Sequence, residues 1–392
     1  MGILILLAFI LAKIYMFWSM RKHFSWSNWF MPYYAAGWFF ILLLIGMTTL
    51  DLELSKWLYN LIIVLSVTFI ISDIFLVLWI LPNDGVALYR NWKNGAKVKT
   101  NEERRFFIKN LGVVMAGLPF FSFLHGFFLG RYNYKVKKII LESPHLPDAF
   151  EGFKLVQFSD FHAGSFDRVD RVKKGLDKIK ALDPDLLVFT GDMVNHSYRE
   201  LDQYHDMLKD LSATYGKYSI LGNHDYYGEN GQKDVDALIQ RQREMGFLPL
   251  LNEHTYIVKG KDRICLAGVE NWGKGPFPKR GRLGDAVNGV DNRDFKILLS
   301  HDPSHWEMEV RQHPLRFDLT MSGHTHGMQV GINLPFLKWS PIKYVYKYWL
   351  GHYKEGDENL YVNRGFGWLF FAGRLGMWPE ITQIELRKKL EE

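Results

Sequence analysis

"FKLVQFSDFHAG", residues 153–164, begins as a short apolar run and stops at a carboxylate, Asp160, and an imidazole, His162. Runs of this length between polar breaks read as strands. The same pattern returns four times. "DLLVFTGDMVNH" (185–196) stops at Asp192, and "YSILGNHDYYG" (218–228) at Asn223, His224 and Asp225. "FKILLSHDP" (295–303) stops at His301, and "DLTMSGHTHG" (318–327) at His324 and His326. Helical patterns lie between these runs. In "DRVDRVKKGLDKIKAL" (167–182), Val169, Val172, Leu176, Ile179 and Leu182 fall on one helical face. "LDQYHDMLKDL" (201–211) and "VDALIQRQREMG" (235–246) read as helices as well. Strands alternating with helices mark an α/β domain.

In such a sheet, ligands bind in the crevice outside the carboxyl ends of the strands, so five ends can converge on one crevice. Gly191, Gly222, Gly323 and Gly327 permit the tight turns and close approach this needs. Carboxylate, imidazole and amide oxygen are ligands for divalent transition metals. The single cysteine, Cys265, lies in the strand-like "RICLAGV" and reads as a small core residue. Asp160 with His162, and His324 with His326, are spaced two apart, which on an extended segment points both side chains to one face. A carboxylate can bridge two ions, and Asp192 is the natural bridge. Two ions about 3.5–4 Å apart can clamp the attacking and leaving oxygens of a phosphoryl displacement. Each motif alone occurs by chance. All five in order, each at a strand end, form a constellation.

From about Lys154 to Leu386 the chain resembles the calcineurin-like metallophosphoesterase superfamily. That family's signature is DxH, GDxx(N/D), GNH(D/E), a lone His after a strand, and GHxH. Here these are Asp160 with His162, Gly191-Asp192 with Asn195, Gly222 to Asp225, His301, and Gly323-His324-Thr325-His326. The resemblance implies two face-to-face mixed β-sheets flanked by helices, and a site for two divalent ions. One ion would take Asp160, His162, Asp192 and His326. The other would take Asp192, Asn223, His301 and His324, with Asp192 bridging. A metal-bound hydroxide would attack phosphorus, and His224 would assist the leaving oxygen with Asp225 orienting it. Asp, Asn and His ligands suit Mn, Fe and Zn alike. The tail "YVNRGFGWLFFAGRLGMWPEIT" (361–382) resembles the membrane-attached bacterial branch, with its RGxG turn and closing PEIT strand. Two positions depart from that branch. Met328 stands where a second glycine is usual, and "FFAGRLG" (370–376) replaces a proline-containing segment.

Working outward, the N-terminal third has another character. The chain has 392 residues, 48% hydrophobic and 16% aromatic, with a net charge of +6. That richness suggests a membrane part. The positive balance then reflects basic cytoplasmic loops rather than nucleic-acid binding. Apolar runs cover Gly2–Met20, Tyr33–Leu50, Trp57–Leu81 and Phe106–Leu129, each near the ~20 residues a spanning helix needs. Trp18, Trp26, Trp29, Trp57 and Trp79 lie near their ends. Lys13 inside the first run requires a polar partner or a route to the interface. The expected organisation is a transmembrane region of about four spans (1–130), a linker (131–152) and a catalytic domain (153–392).

Loop charge gives orientation. Arg21–His23 and Asn83–Arg105 are basic and belong inside, while Asp51–Lys56 belongs outside. The fourth span then delivers the catalytic domain outside the cytoplasm. Arg131, Lys135, Lys137 and Lys138 lie on the wrong side of that scheme. "RRFFIK" (104–109) resembles a twin-arginine export motif, the alternative being an ordinary positive-inside anchor.

Three other features are open. Lys279, Arg280 and Arg282, in the loop 270–289, could meet substrate phosphate or simply be solvated. The aromatic and lysine-rich stretch 334–356 could face a bilayer or an acyl chain, or fold as a satellite core. His305, His313 and His352 match no ligand position and read as surface residues. The expected activity is hydrolysis of a lipid or lipid-linked phosphoester. The alternatives are a phosphodiesterase for soluble nucleotides or phosphosugars, and a catalytically silent membrane sensor or scaffold.

Overall fold

The computed structural model describes residues 2–21, 30–50, 54–95 and 102–389. The chain divides into two compact units: residues 1–128 with 371–373, and residues 129–370 with 374–392.

The first unit is helical, with α1 (Gly2–Met20), α2 (Phe30–Thr49), α3 (Lys56–Lys93) and α4 (Glu102–Phe128). Among the described residues, three helices are long and apolar enough to cross a membrane, at Phe30–Thr49, Lys56–Lys93 and Glu102–Tyr132. The first helix, α1, has 19 residues and a single charged side chain, Lys13. Lys13 has its partner. It pairs with Asp73 at 2.8 Å, both side chains fully buried, and Tyr33 donates to Asp73 at 2.9 Å.

The third expected loop is in large part helix. Pro82, Asn83, Asp84 and Gly85 look like a turn, yet α3 continues through them to Lys93. Asp84 accounts for this: it accepts from Ser19 at 2.7 Å and Tyr15 at 3.0 Å, and meets Arg105 at 3.3 Å. Trp26 and Trp29, and loop residues 22–23, 51–53 and 96–101, lie outside the described residues.

The second unit is a two-sheet α/β sandwich. The first sheet runs β1 (Lys135–Ser143), β14 (Glu380–Lys388), β2 (Phe153–Phe158), β3 (Leu186–Thr190), β4 (Lys217–Ile220), β5 (Phe247–Pro249). The second runs β12 (Gly351–Glu355), β13 (Glu358–Val362), β9 (Leu319–Ser322), β8 (Phe295–Leu299), β7 (Asp262–Gly268), β6 (Glu253–Lys259). A separate hairpin pairs β10 (Ile332–Leu334) with β11 (Leu337–Trp339). Strands β2 to β5 are mutually parallel, as are β7, β8, β9 and β13, while β14 is antiparallel to β2.

Alternation decides which face meets the other sheet. Leu155, Leu186 and Val188 from one sheet pack with Leu266, Ile297, Leu299 and Met321 from the other in one buried cluster. Helices α5 (Val169–Lys180), α6 (His205–Lys209) and α7 (Gln232–Glu244) complete the connections. Val172, Leu176 and Ile179 are buried as the helical spacing predicts, and Cys265 is buried in the core.

The expected linker 131–152 is part of this unit. Its strand β1 pairs in parallel with β14 along its whole length, and Arg131 forms a buried ion pair with Asp167 at 2.9 Å. Polar alternation in "KVKKIILES" hides the strand from a hydrophobicity reading, because β1 is an edge with one face in water.

Candidate metal centre

Parallel strands β2, β3, β4, β8 and β9 all end at one crevice, and the chemistry-bearing residues sit in the turns that follow. Among the described residues two ligand groups form: Asp160 with His162 and His326, and Asp192 with His301 and His324. Within each group the ligand atoms lie inside 4.8 Å of one another. The two groups touch at Asp192, whose Oδ2 is 3.2 Å from His301 Nε2 and 3.6 Å from His162 Nε2. His162 Nε2 lies 3.1 Å from His326 Nε2, which is 3.3 Å from Asp160 Oδ1.

The backbone achieves this by an unexpected route. Asp160, His162, Asp192, His324 and His326 all have positive φ, between 50 and 71°. The spacing of two therefore does not work through an extended segment. His324 and His326 each take a positive φ on either side of Thr325, whose φ is −78°, and they enter different groups. Each such non-glycine residue costs of order 1–3 kcal/mol, tolerated where the surroundings over-determine the fold. Gly222 makes room: a Cβ there would stand 2.3 Å from Asp192 Oδ1.

Neighbours set the imidazoles. His301 Nδ1 bonds the Thr190 carbonyl at 2.7 Å, and His162 Nδ1 bonds Asn195 Oδ1 at 2.9 Å. Both leave Nε2 turned toward Asp192. Fixing the remote nitrogen in this way is how a ligand histidine is oriented. His324 Nε2 meets the Tyr346 hydroxyl at 2.8 Å, and His326 Nδ1 meets Arg374 Nη2 at 3.1 Å. Burial pushes His162 down to about 3 and His324 down to about 4, and His326 well below its usual value. Burial opposes a charge on His301 as well, but Asp192 lifts it to about 10. Asp192 in turn is held well below the carboxylate range, against its burial, by His301 and His224.

These residues fit divalent cations. Asn223 Oδ1 is buried with no hydrogen-bond partner among the described residues. Three neutral imidazoles converge with two carboxylates, a set with more lone pairs than donors. Soft thiolate ligands are absent, since the only cysteine is buried at position 265 in the core. That leaves nitrogen and oxygen donors, the set for first-row divalent ions.

Around the ligands, several expectations change. Asp225 does not orient the His224 ring. Its carboxylate accepts from the backbone N–H groups of Met193 at 2.8 Å, Val194 at 3.3 Å, Gly222 at 2.9 Å and Asp192 at 3.0 Å. It clamps the turns after β3 and β4 together. The His224 ring instead bonds the Asn195 carbonyl through Nδ1 at 3.2 Å, and its backbone N–H donates to Asp192 Oδ1 at 2.7 Å.

The three basic residues stand apart from the ligands. Arg280 donates to Gln232 at 3.0 Å and lies over the Tyr226 ring, Arg282 pairs with Asp285, and Lys279 lines a cleft of about 220 Å³ with Trp272 and Met308. Their loop reaches the site through Phe277, whose ring is 4.9 Å from that of His324. His305 is buried, not exposed, held between Ser300 at 2.8 Å and Glu309 at 3.2 Å.

Residues missed in the sequence complete the shell. Glu200 accepts from the backbone N–H groups of Gly164, Asn195, His196 and Ser197. The signal was available as the capping box Ser197-x-x-Glu200. The RGxG turn now has a reason: Gly367 N–H donates to the Asp160 carbonyl at 2.8 Å and Phe366 N–H to Ser159 at 2.7 Å. Glu380 of the PEIT strand holds that turn through Arg364 and takes a further bond from Tyr361 at 2.7 Å.

Comparisons with known proteins meet this geometry. Residues 153–328 match a family described as calcineurin-like phosphoesterase. Residues 1–131 match one described as the transmembrane domain of a probable calcineurin-like phosphoesterase. An uncharacterized metallophosphoesterase of Bacillus subtilis is 32% identical over 293 residues, covering 72% of this chain and 97% of the relative. A Danio rerio transmembrane protein with a metallophosphoesterase domain is 28% identical over 262 residues, covering 65% of this chain and 57% of its own length. Among solved structures, Haemophilus influenzae NAD nucleotidase aligns with a TM-score of 0.40 at 14% identity, covering 55% of this chain and 45% of that one.

Proposed function

Because the chain belongs to the calcineurin-like metallophosphoesterases and is a membrane-associated, metal-dependent phosphoesterase, we propose that it hydrolyses a lipid or lipid-linked phosphoester at a centre for two divalent ions. The junction of the two ligand groups at Asp192 is the observation that carries this reading. Asp160, His162 and His326 would hold one ion, Asn223, His301 and His324 the other, and Asp192 both. Such ions, when bound, supply an activated water nucleophile and offset charge developing on the phosphoryl oxygens. His224 is only partly buried, and with Nδ1 bonded to the Asn195 carbonyl its Nε2 is left to protonate the leaving oxygen. Asp225 and Glu200 keep the turns that carry these groups from relaxing.

The transmembrane part favours a substrate that lives in the bilayer over soluble nucleotides or phosphosugars. The complete ligand set counts against a silent scaffold. The test is turnover by the full-length protein in micelles, with chelator and with Mn²⁺ or Zn²⁺ restored. Lipid phosphoesters are run beside nucleotides and phosphosugars. Chelator-sensitive hydrolysis of nucleotides alone would move the substrate to the aqueous phase.

The catalytic unit is assigned to the extracytoplasmic side of a multi-pass protein. Arg90 and Lys93 in the last turn of α3, with Arg104 and Arg105 in the first turn of α4, support this by the positive-inside rule. Of the four basic residues that argue against it, Arg131 is taken up in its buried pair with Asp167, while Lys135, Lys137 and Lys138 stay exposed. A reporter enzyme active only outside the cytoplasm, fused after Glu392, should be active. Cytoplasmic activity of a complementary reporter would reverse the topology.

A further inference from the structure

The hairpin β10–β11 is exposed throughout, with Phe336 at its tip 84% exposed. Leu334 faces Leu337 across the ribbon, and Ile332 faces Trp339. Nearby, Tyr344 is 74% and Phe370 87% exposed. A two-stranded ribbon is marginal in water by itself, and an apolar tip open to water is not a feature soluble surfaces keep without use. The hairpin is firmly rooted all the same. Gly331 N–H donates to the Leu375 carbonyl at 2.9 Å, Leu375 N–H donates to Gln329 at 2.7 Å, and the Ser340 hydroxyl bonds the Gly327 carbonyl at 2.8 Å.

We propose that this face dips into the headgroup region of a bilayer containing anionic lipid. Three observations select that occupant. First, the chain leaves the apolar helix α4 at Phe128 and enters β1 at Lys135, so the catalytic unit is tethered to a membrane helix by a short connection. Second, the tie is rooted beside the hairpin: Gly130 packs so closely that a Cβ would stand 2.2 Å from the Arg374 carbonyl, and Leu375 is the next residue. Third, the face has the composition of an interface. Its aromatic and aliphatic tip is flanked by exposed Lys338 and Lys343, cations that suit anionic headgroups and whose stems can lie along acyl chains.

The face also adjoins the metal centre. His326 leads directly into Gly327 and the hairpin, and Tyr346, two residues past Tyr344, bonds His324. A lipid-borne phosphoester would therefore meet the centre without leaving the membrane surface. The inference rests on membrane association alone, and its test reads no catalysis, so it can fail while the phosphoesterase reading stands.

The test uses the full chain with Cys265→Ala, Phe336→Cys and an environment-sensitive fluorophore at position 336. The protein is reconstituted in vesicles of phosphatidylethanolamine and phosphatidylglycerol. Lys261→Cys is the reference, since Lys261 precedes β7 at the end of the sheet opposite the metal centre. Lipids with a nitroxide near the headgroup should quench position 336 severalfold more than position 261, and aqueous iodide the reverse. Leu337→Cys repeats the reading at a second site. Equal iodide access at 336, 337 and 261 would overturn the proposal. So would shielding that vanishes when the protein is diluted in the bilayer, because a second copy would then be the cover.

Discussion

In the helical unit, Lys13 and Asp73 meet at 2.8 Å and cancel, with Tyr33 taking a further lone pair of the carboxylate. In the α/β unit, two aspartates and four histidines converge with His162 and His326 nitrogens only 3.1 Å apart. Both clusters are buried. The first is balanced within the chain. The second gathers carboxylate and imidazole ligand atoms from several strand ends, within 4.8 Å of one another in each group, and leaves Asn223 Oδ1 buried without a partner among the described residues. Burial of charge alone does not distinguish architecture from chemistry. Convergence of ligand-type atoms on one crevice does.

The sharpest way to break this comparison is Asp192→Ala. Turnover should fall to background and bound metal should be lost. The unfolding temperature of the metal-free protein should fall, because His301 loses its carboxylate partner and the His224 N–H its acceptor. Two ions per chain by elemental analysis, with normal turnover, would end the dinuclear assignment. His224→Ala comes next: metal retained, turnover down on the order of 10²–10⁴. The loss should shrink for nitrophenyl esters, whose leaving group needs no proton. An equal loss on alkyl esters would remove the acid role.

Asp73→Ala probes the balanced cluster. Leaving Lys13 buried and unpaired should cost about 3–5 kcal/mol, read as thermal unfolding in detergent, with metal content unchanged. Lys13→Met with Asp73→Leu should recover most of it. If Asp73→Ala spared stability and abolished turnover, the pair would be part of the chemistry. The smallest effect is expected at Met328, whose φ of 52° suits glycine. Met328→Gly should stabilise by about 1 kcal/mol, the low end of the cost of a left-handed non-glycine residue. A loss of stability there would mean that the side chain's contacts outweigh its backbone strain.

The sheets and the convergence of candidate ligand residues were legible because apolar runs and ligand-type residues carry their signal locally. All five strand ends fall where the runs stop. The left-handed turns were not legible, since nothing about Asp160 or His326 in sequence announces a positive φ that only tertiary packing imposes. The role given to Asp225 failed for a related reason: adjacency in "NHD" suggested a side-chain partner, whereas the carboxylate answers backbone donors from another turn. Strand β1 was missed because an edge strand alternates, and Asn83–Lys93 because a turn-like sequence was overruled by three partners of Asp84.

Strand β14 lies between β1 and β2. The first strand of the sandwich to be synthesised thus has no neighbour until the last has been made. At ~5–20 residues per second, the 237 positions from Ser143 to Glu380 take on the order of 10–50 s to translate. During that interval the nascent β1 and the open edge of β2 are templates for any passing strand. Such a chain depends on holding factors at the ribosome more than its finished stability would suggest.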